Sequence, residues 1–128
     1  MIGVLVFPDF QLLDAAGPIS VFEIAGRLAG QPSSIRVLAV KPGPVCSSSG
    51  VEMLARGLRP SAAITTLIVA GGGGVNAASK CDKTLSFVRA MAKEFLKSGE
   101  ESLDAMAKVW GERLKAHLPT SSSPGLSG

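Results

Sequence analysis

The chain is poor in side chains that bind metals or perform redox chemistry. It holds one histidine, His117, and two cysteines, Cys46 and Cys81, in 128 residues. A single imidazole excludes a His-rich metal site, and no other residues are grouped as zinc would require. The two cysteines are far apart and share no metal-ligand spacing, so they make no disulfide framework. A reduced, cytoplasmic protein is the expectation. Charge is sparse as well. Asp, Glu, Lys and Arg together make up 18% of the chain, with a net charge of +3. Because no Lys/Arg cluster is present, direct nucleic-acid binding by this segment is not expected, despite the basic balance. The apolar N-terminal run lacks a basic n-region and is broken by Pro8, Asp9 and Asp14. It reads as neither a signal peptide nor a membrane span.

What is present follows an α/β pattern. Ile2 to Phe7 is short, apolar and β-branched, the profile of a strand covered on both faces of a parallel sheet. Pro8-Asp9 stops it. A helix is predicted from about Asp14 to Leu28, with Pro18 in its first turn, where a missing amide proton costs little. Ile19 and Phe22 mark its apolar face, with Val21, Ile24 and Leu28 as further candidates. Ile35–Val40 reads as a second parallel strand, ended by Pro42-Gly43-Pro44. Val45–Leu54, split by Ser47–Gly50, reads as a hairpin or two brief extended pieces. Arg56–Ala63 reads as a connector. Thr65–Ala70 is the third parallel strand, and Gly71-Gly72-Gly73-Gly74 follows it directly. A helix begins near Asn76 or Asp82, with Leu85, Val88, Met91 and Ala92 on one face. No internal repeat is visible, and one domain is expected at this length.

Beyond about Glu94 the pattern changes. Ser98-Gly99-Glu100-Glu101 resembles a capping box that opens a separate tail helix carrying Leu103, Met106, Trp110 and Leu114. That stripe would pack on the sheet or be offered to a partner. Residues 120–128 are Ser/Gly/Pro-rich, the composition of disorder. The expected organisation is an α/β domain over 1–97, a tail helix over 98–118 and a disordered tail over 119–128.

One carboxylate and one glycine run draw attention as candidate chemistry. Asp14 lies at a helix start beside a strand's carboxyl end, where parallel sheets bind ligands. It could orient water or relay a proton, or simply stabilise the helix dipole. The glycine run is not a Walker motif and lacks dinucleotide spacing, so no cofactor is expected. Its tight turn needs glycine where φ is positive. Cys46 reads as a small surface or half-buried residue. Cys81 lies between Lys80 and Lys83 near a helix start, a setting that could lower its pKa. Glu23 reads as solvated, and His117 as a helix-end residue outside any site.

The run Phe7-Pro8-x-Phe10 followed by Asp14-x-x-Gly17-Pro18-x-x-Val21-Phe22 resembles the class I glutamine amidotransferase-like superfamily, in its ThiJ/PfpI branch. The similarity is to the amino-terminal domain of AraC-type transcriptional regulators and to isonitrile hydratases. Pro44-Val45, Ser48-Ser49-Gly50 and Leu67–Val75 extend it over residues 1–94. The resemblance implies a flavodoxin-like three-layer sandwich with a parallel sheet, here incomplete and followed by a C-terminal helix. It also implies a homodimer and a possible small-molecule ligand. Asp14 matches the carboxylate that works beside the nucleophilic cysteine, and Gly72 and Gly73 match an oxyanion hole. The family's cysteine ends a further apolar strand, and that strand has no counterpart here. Phe95–Glu101 is not a buried strand, and no cysteine follows Cys81. The nucleophile elbow and the helix-turn-helix of the regulators are both missing from this sequence. The resemblance therefore implies a ligand-sensing or regulatory domain without catalysis. The alternatives are an isonitrile hydratase-like lyase and a non-functional fragment with an exposed sheet edge.

Overall fold

The computed structural model describes the backbone of residues 1–117 and the side chains of residues 1–99. Five strands form one sheet: β1 (Ile2–Leu5), β2 (Ile35–Ala39), β3 (Gly43–Cys46), β4 (Glu52–Gly57) and β5 (Thr66–Val69). Their order is β3-β4-β2-β1-β5. The pairs β4–β2, β2–β1 and β1–β5 are parallel, and β3 closes one edge antiparallel to β4. The helices are α1 (Leu12–Leu28), α2 (Val75–Ala78) and α3 (Asp82–His117).

β1 is central, and its alternation explains the layers. Ile2, Val4 and Val6 join one core with Phe10, Ala15 and the α1 residues Ile19 and Phe22. Leu5 joins a second core on the opposite face with Leu38, Ile64, Phe87 and Met91. Val4 and Leu5 are 0% and 1% exposed, and burying such side chains stabilises by roughly 2 kcal/mol each. Helices thus cover both faces of a mostly parallel sheet, an architecture compatible with a flavodoxin-like sandwich. The three segments read as parallel strands lie side by side. β5 is the exception to full coverage, because it is an edge strand and Val69 is 51% exposed.

Several local expectations need correction. α1 starts at Leu12, two residues early, because the Gln11 carbonyl accepts from the Asp14 amide at 3.1 Å and closes the first turn. Pro18 therefore lies inside the helix, and the Asp14 carbonyl has no amide four residues on. Val21, Ile24 and Leu28 point outward and are exposed. Arg56 belongs to β4 rather than to a connector, since β4 continues to Gly57 and pairs with β2. Ser47–Gly50 does split a hairpin, but that hairpin is built into the main sheet. On α3 the buried side chains are Thr84, Phe87 and Met91, while Ala92 is exposed.

α3 runs without a break through Ser98 to His117, so Ser98 does not cap a separate helix. The chain divides into two compact units, Met1–Phe95 and Leu96–Gly128. The side chains of Leu103, Met106, Trp110 and Leu114, and the predicted disorder of 119–128, lie outside the described residues.

Candidate functional site

The sheet topology marks one place for a ligand. From β1 the chain moves outward through β2 to β4, and then returns to lay β5 on the other side of β1. The order therefore reverses between β1 and β5. Loops leaving the carboxyl ends of two such strands run to opposite faces and open a crevice, where open α/β sheets bind ligands. The loop after β1 leads to α1, and the loop after β5 leads to α2 and α3.

The structure brings Asp14 and the glycine bend together at this point. Asp14 Oδ2 accepts a hydrogen bond from the Gly71 amide at 2.8 Å. The Gln11 amide donates to the Gly71 carbonyl, also at 2.8 Å, and the Gly74 amide donates to the Asp9 carbonyl at 3.1 Å. The two loops are thereby stitched on three sides. Gly72 and Gly73, between the stitches, are exposed. Among the described residues their amides donate to no group of the chain. The bend thus leaves two adjacent N–H groups without an acceptor among the described residues, close to a carboxylate, an arrangement that could hold an acceptor oxygen.

The glycines differ in what they require. Gly72 has φ of +116°, and a Cβ there would lie 2.5 Å from the Gln11 nitrogen and 2.9 Å from the Asp9 oxygen. Gly74 is packed so that a Cβ would collide with the Pro8 carbonyl oxygen. Gly73 has open space around it. Asp9 itself has φ of +62°, a left-handed conformation that aspartate tolerates better than most residues.

Sequence reasoning did not place the Ser47 turn at this rim. The Asp9 amide donates to the Cys46 carbonyl at 3.0 Å, and the Ser48 amide donates to the Phe10 carbonyl at 3.0 Å. Ser47 is buried, with its hydroxyl 2.8 Å from that of Ser49. The serine-rich turn therefore buttresses the β1 loop from the β2 side. The Pro-Val and Ser-Ser-Gly matches were the signal for it, although they gave no position in space.

Of the two free thiols, that of Cys46 sits on the serine-rich turn that buttresses the rim, and that of Cys81 just before α3. Cys46 is exposed, and its Sγ lies 3.5 Å from the Ser47 carbonyl oxygen. Cys81 precedes α3, and its thiol is held below the usual range. The cause is hydrogen bonding from the Thr84 backbone and hydroxyl at the helix start, as in an N-cap, with a smaller contribution from the Lys83 backbone amide. Neither thiol hydrogen-bonds Asp14 among the described residues. Glu23 is solvent-exposed and lies 3.5 Å from Arg27. His117 is the last residue of α3, and its side chain lies outside the described residues. Among the described residues, no group of three or more His, Cys, Asp or Glu could hold a metal ion. None of their helices is long and apolar enough to cross a membrane.

No protein-family model matches the sequence, and no curated protein matches it. Among solved structures, the chain is similar to the crystal structure of an AraC family transcriptional regulator from Pseudomonas putida, with a TM-score of 0.50 and 23% identity. The match covers 56% of this chain and 46% of that one, so it spans about half the length of the regulator. At that identity the likeness establishes the α/β fold.

Proposed function

We propose that this chain is a ligand-sensing regulatory domain of the kind joined to DNA-binding domains in AraC-type regulators, and that it does not catalyse a reaction. The observation that carries the reading is the state of the rim. Its carboxylate is engaged by the Gly71 amide, whereas the neighbouring Gly72 and Gly73 amides remain open. Such a rim binds a small molecule through a carbonyl or carboxylate oxygen. Where the resemblance expects an apolar strand ending in a nucleophilic cysteine, α3 simply continues as helix. Asp14 then serves as a clasp between two loops rather than as an acid–base partner. The likeness in fold to an AraC family regulator supports the same reading.

The resemblance implies a homodimer, and α1 offers a surface for that assembly. Its inward stripe of Ala15, Ile19 and Phe22 is opposed by an outward stripe of Leu13, Val21, Ile24 and Leu28. A helix that is apolar on both sides is one that becomes covered.

The test is a thermal-shift series on the purified chain with small carboxylates, amides and ketones, paired with an isonitrile hydration assay. A ligand held at the rim raises the melting temperature by mass action. Asp14→Ala, which frees Gly71 and loosens the bend, is expected to abolish the shift. Saturable conversion of cyclohexyl isocyanide to its formamide would refute the non-catalytic reading, and an unresponsive chain would refute sensing at the rim.

A further inference from the structure

The connection from β4 to β5 is unusually thin. Both strands run parallel to β1, so residues 58–65 must return across β2 and β1 to start β5. Parallel crossovers normally use a helix of a dozen residues or more. Here the segment is a loop held down by Leu58 and Ile64, which pack with Leu5 and Leu38 on the α3 face of the sheet. A thin strap cannot fill the space that a helix would fill. A cavity of 430 Å³ opens between the strap and the sheet.

The charge lining this cavity is of one sign. Arg36 from β2, Arg56 from β4 and Arg59 from the strap all contribute, together with Ser61. No acidic residue lines it, and none of the three arginines forms an ion pair among the described residues. The strand register accounts for the convergence. Arg36 lies two residues before Leu38 on β2 and so shares its face, and Arg56 pairs with Leu38 on the neighbouring strand. Gly3 is the β1 partner of Arg36 and lines the cavity without a side chain. Leu38 and Ile64 give the cavity an apolar floor.

Three guanidinium groups around one small space repel one another unless an anion or solvent intervenes. Their planar donor forks match the several oxygens of a phosphoryl group, which can accept from more than one arginine at once. We propose that this cavity binds a small phosphorylated compound, its phosphoryl group held by Arg36, Arg56 and Arg59 and its apolar body lying over Leu38 and Ile64. The site goes beyond the rim reading and stands apart from it. The rim closes with α1 on one face of the sheet, whereas the cavity lies on the other.

Isothermal titration calorimetry of the full chain with phenyl phosphate tests this. Saturable one-to-one binding is expected, weaker at high salt as screening demands. Phenol, which lacks the phosphoryl group, should give no saturable heat. Arg36→Gln and Arg56→Gln should each weaken binding by about tenfold, the loss of roughly one charge-assisted pair. Both arginines are exposed, so circular dichroism should show the fold unchanged. Asp14→Ala should leave binding intact, which separates this site from the rim. The proposal fails if phenyl phosphate gives no saturable heat or if both glutamine variants bind like the parent. It also fails if a short single-stranded oligonucleotide displaces phenyl phosphate and binds more tightly, because the arginines would then read a polymer backbone.

Discussion

Gly72 and Gly73 are neighbours in one bend, yet the chain constrains them very differently. Gly72 combines φ of +116° with main-chain atoms of Asp9 and Gln11 lying where a β-carbon would need to sit. A methyl group there faces both backbone strain and collision with atoms that cannot rotate away. Gly73 has nothing within 4 Å of where a methyl would sit. Gly72→Ala is expected to lower stability by about 2 kcal/mol or more, and Gly73→Ala to change it by less than about 0.5 kcal/mol. Urea denaturation of the two variants checks this, and equal losses would contradict the described bend. Asp14 is legible in the sequence as a helix-start carboxylate, and three parallel strands set side by side are expected to bring it and the glycine bend to a common rim, as they do. The particular bond is not legible, because the Gly71 amide lies 57 residues away in the chain and no local pattern encodes it.

At the scale of elements, α1 shows what periodicity can and cannot say. Leu13, Val21, Ile24 and Leu28 fall within an arc of about 80° at 3.6 residues per turn. Ala15, Ile19 and Phe22 occupy the opposite arc. Both stripes are apolar in the sequence, so the sequence alone could not decide which one faces the sheet. The structure buries the stripe with Ala15 and leaves Leu13 at 71%, Val21 at 64% and Leu28 at 83% exposed. Ala15 is fully buried in the core that holds Ile2, Val4 and Val6, with Ile19 and Phe22 packed against it. If the outward stripe is the dimer seam, the parent chain should sediment as a dimer. Val21→Glu and Leu28→Glu should convert it to a monomer with an unchanged unfolding midpoint, as expected for exposed positions. A monomeric parent in sedimentation velocity would remove the seam. Arg36, Arg56 and Arg59 teach the same lesson. They are scattered in sequence, and only strand register and the strap bring them around one cavity.

At the scale of the whole molecule, residues 1–95 form a compact unit with helices on both faces of the sheet. Phe95 of α3 packs against that core. A chain ending at Lys97 is therefore expected to unfold cooperatively, with a midpoint within a few degrees of the full chain by circular dichroism. Loss of the cooperative transition would show that the second unit is needed for the fold. Among the described residues no strand pairs with the outer edge of β5, next to the half-exposed Val69, a surface open to strand pairing. By itself the sequence determined the local elements: the three parallel strands, the helix after β1, the break at Ser47–Gly50 between two extended pieces, and the glycine bend that follows β5. These depend on side-chain pattern and turn chemistry within a few residues. Only the tertiary structure decided that β5 returns beside β1 so that Asp14 meets Gly71, which face of α1 is inward, that α3 passes through Ser98 unbroken, and that three arginines share a cavity. Each of those outcomes depends on contacts between distant segments, and their energies are set by packing and strand register rather than by neighbours in the chain.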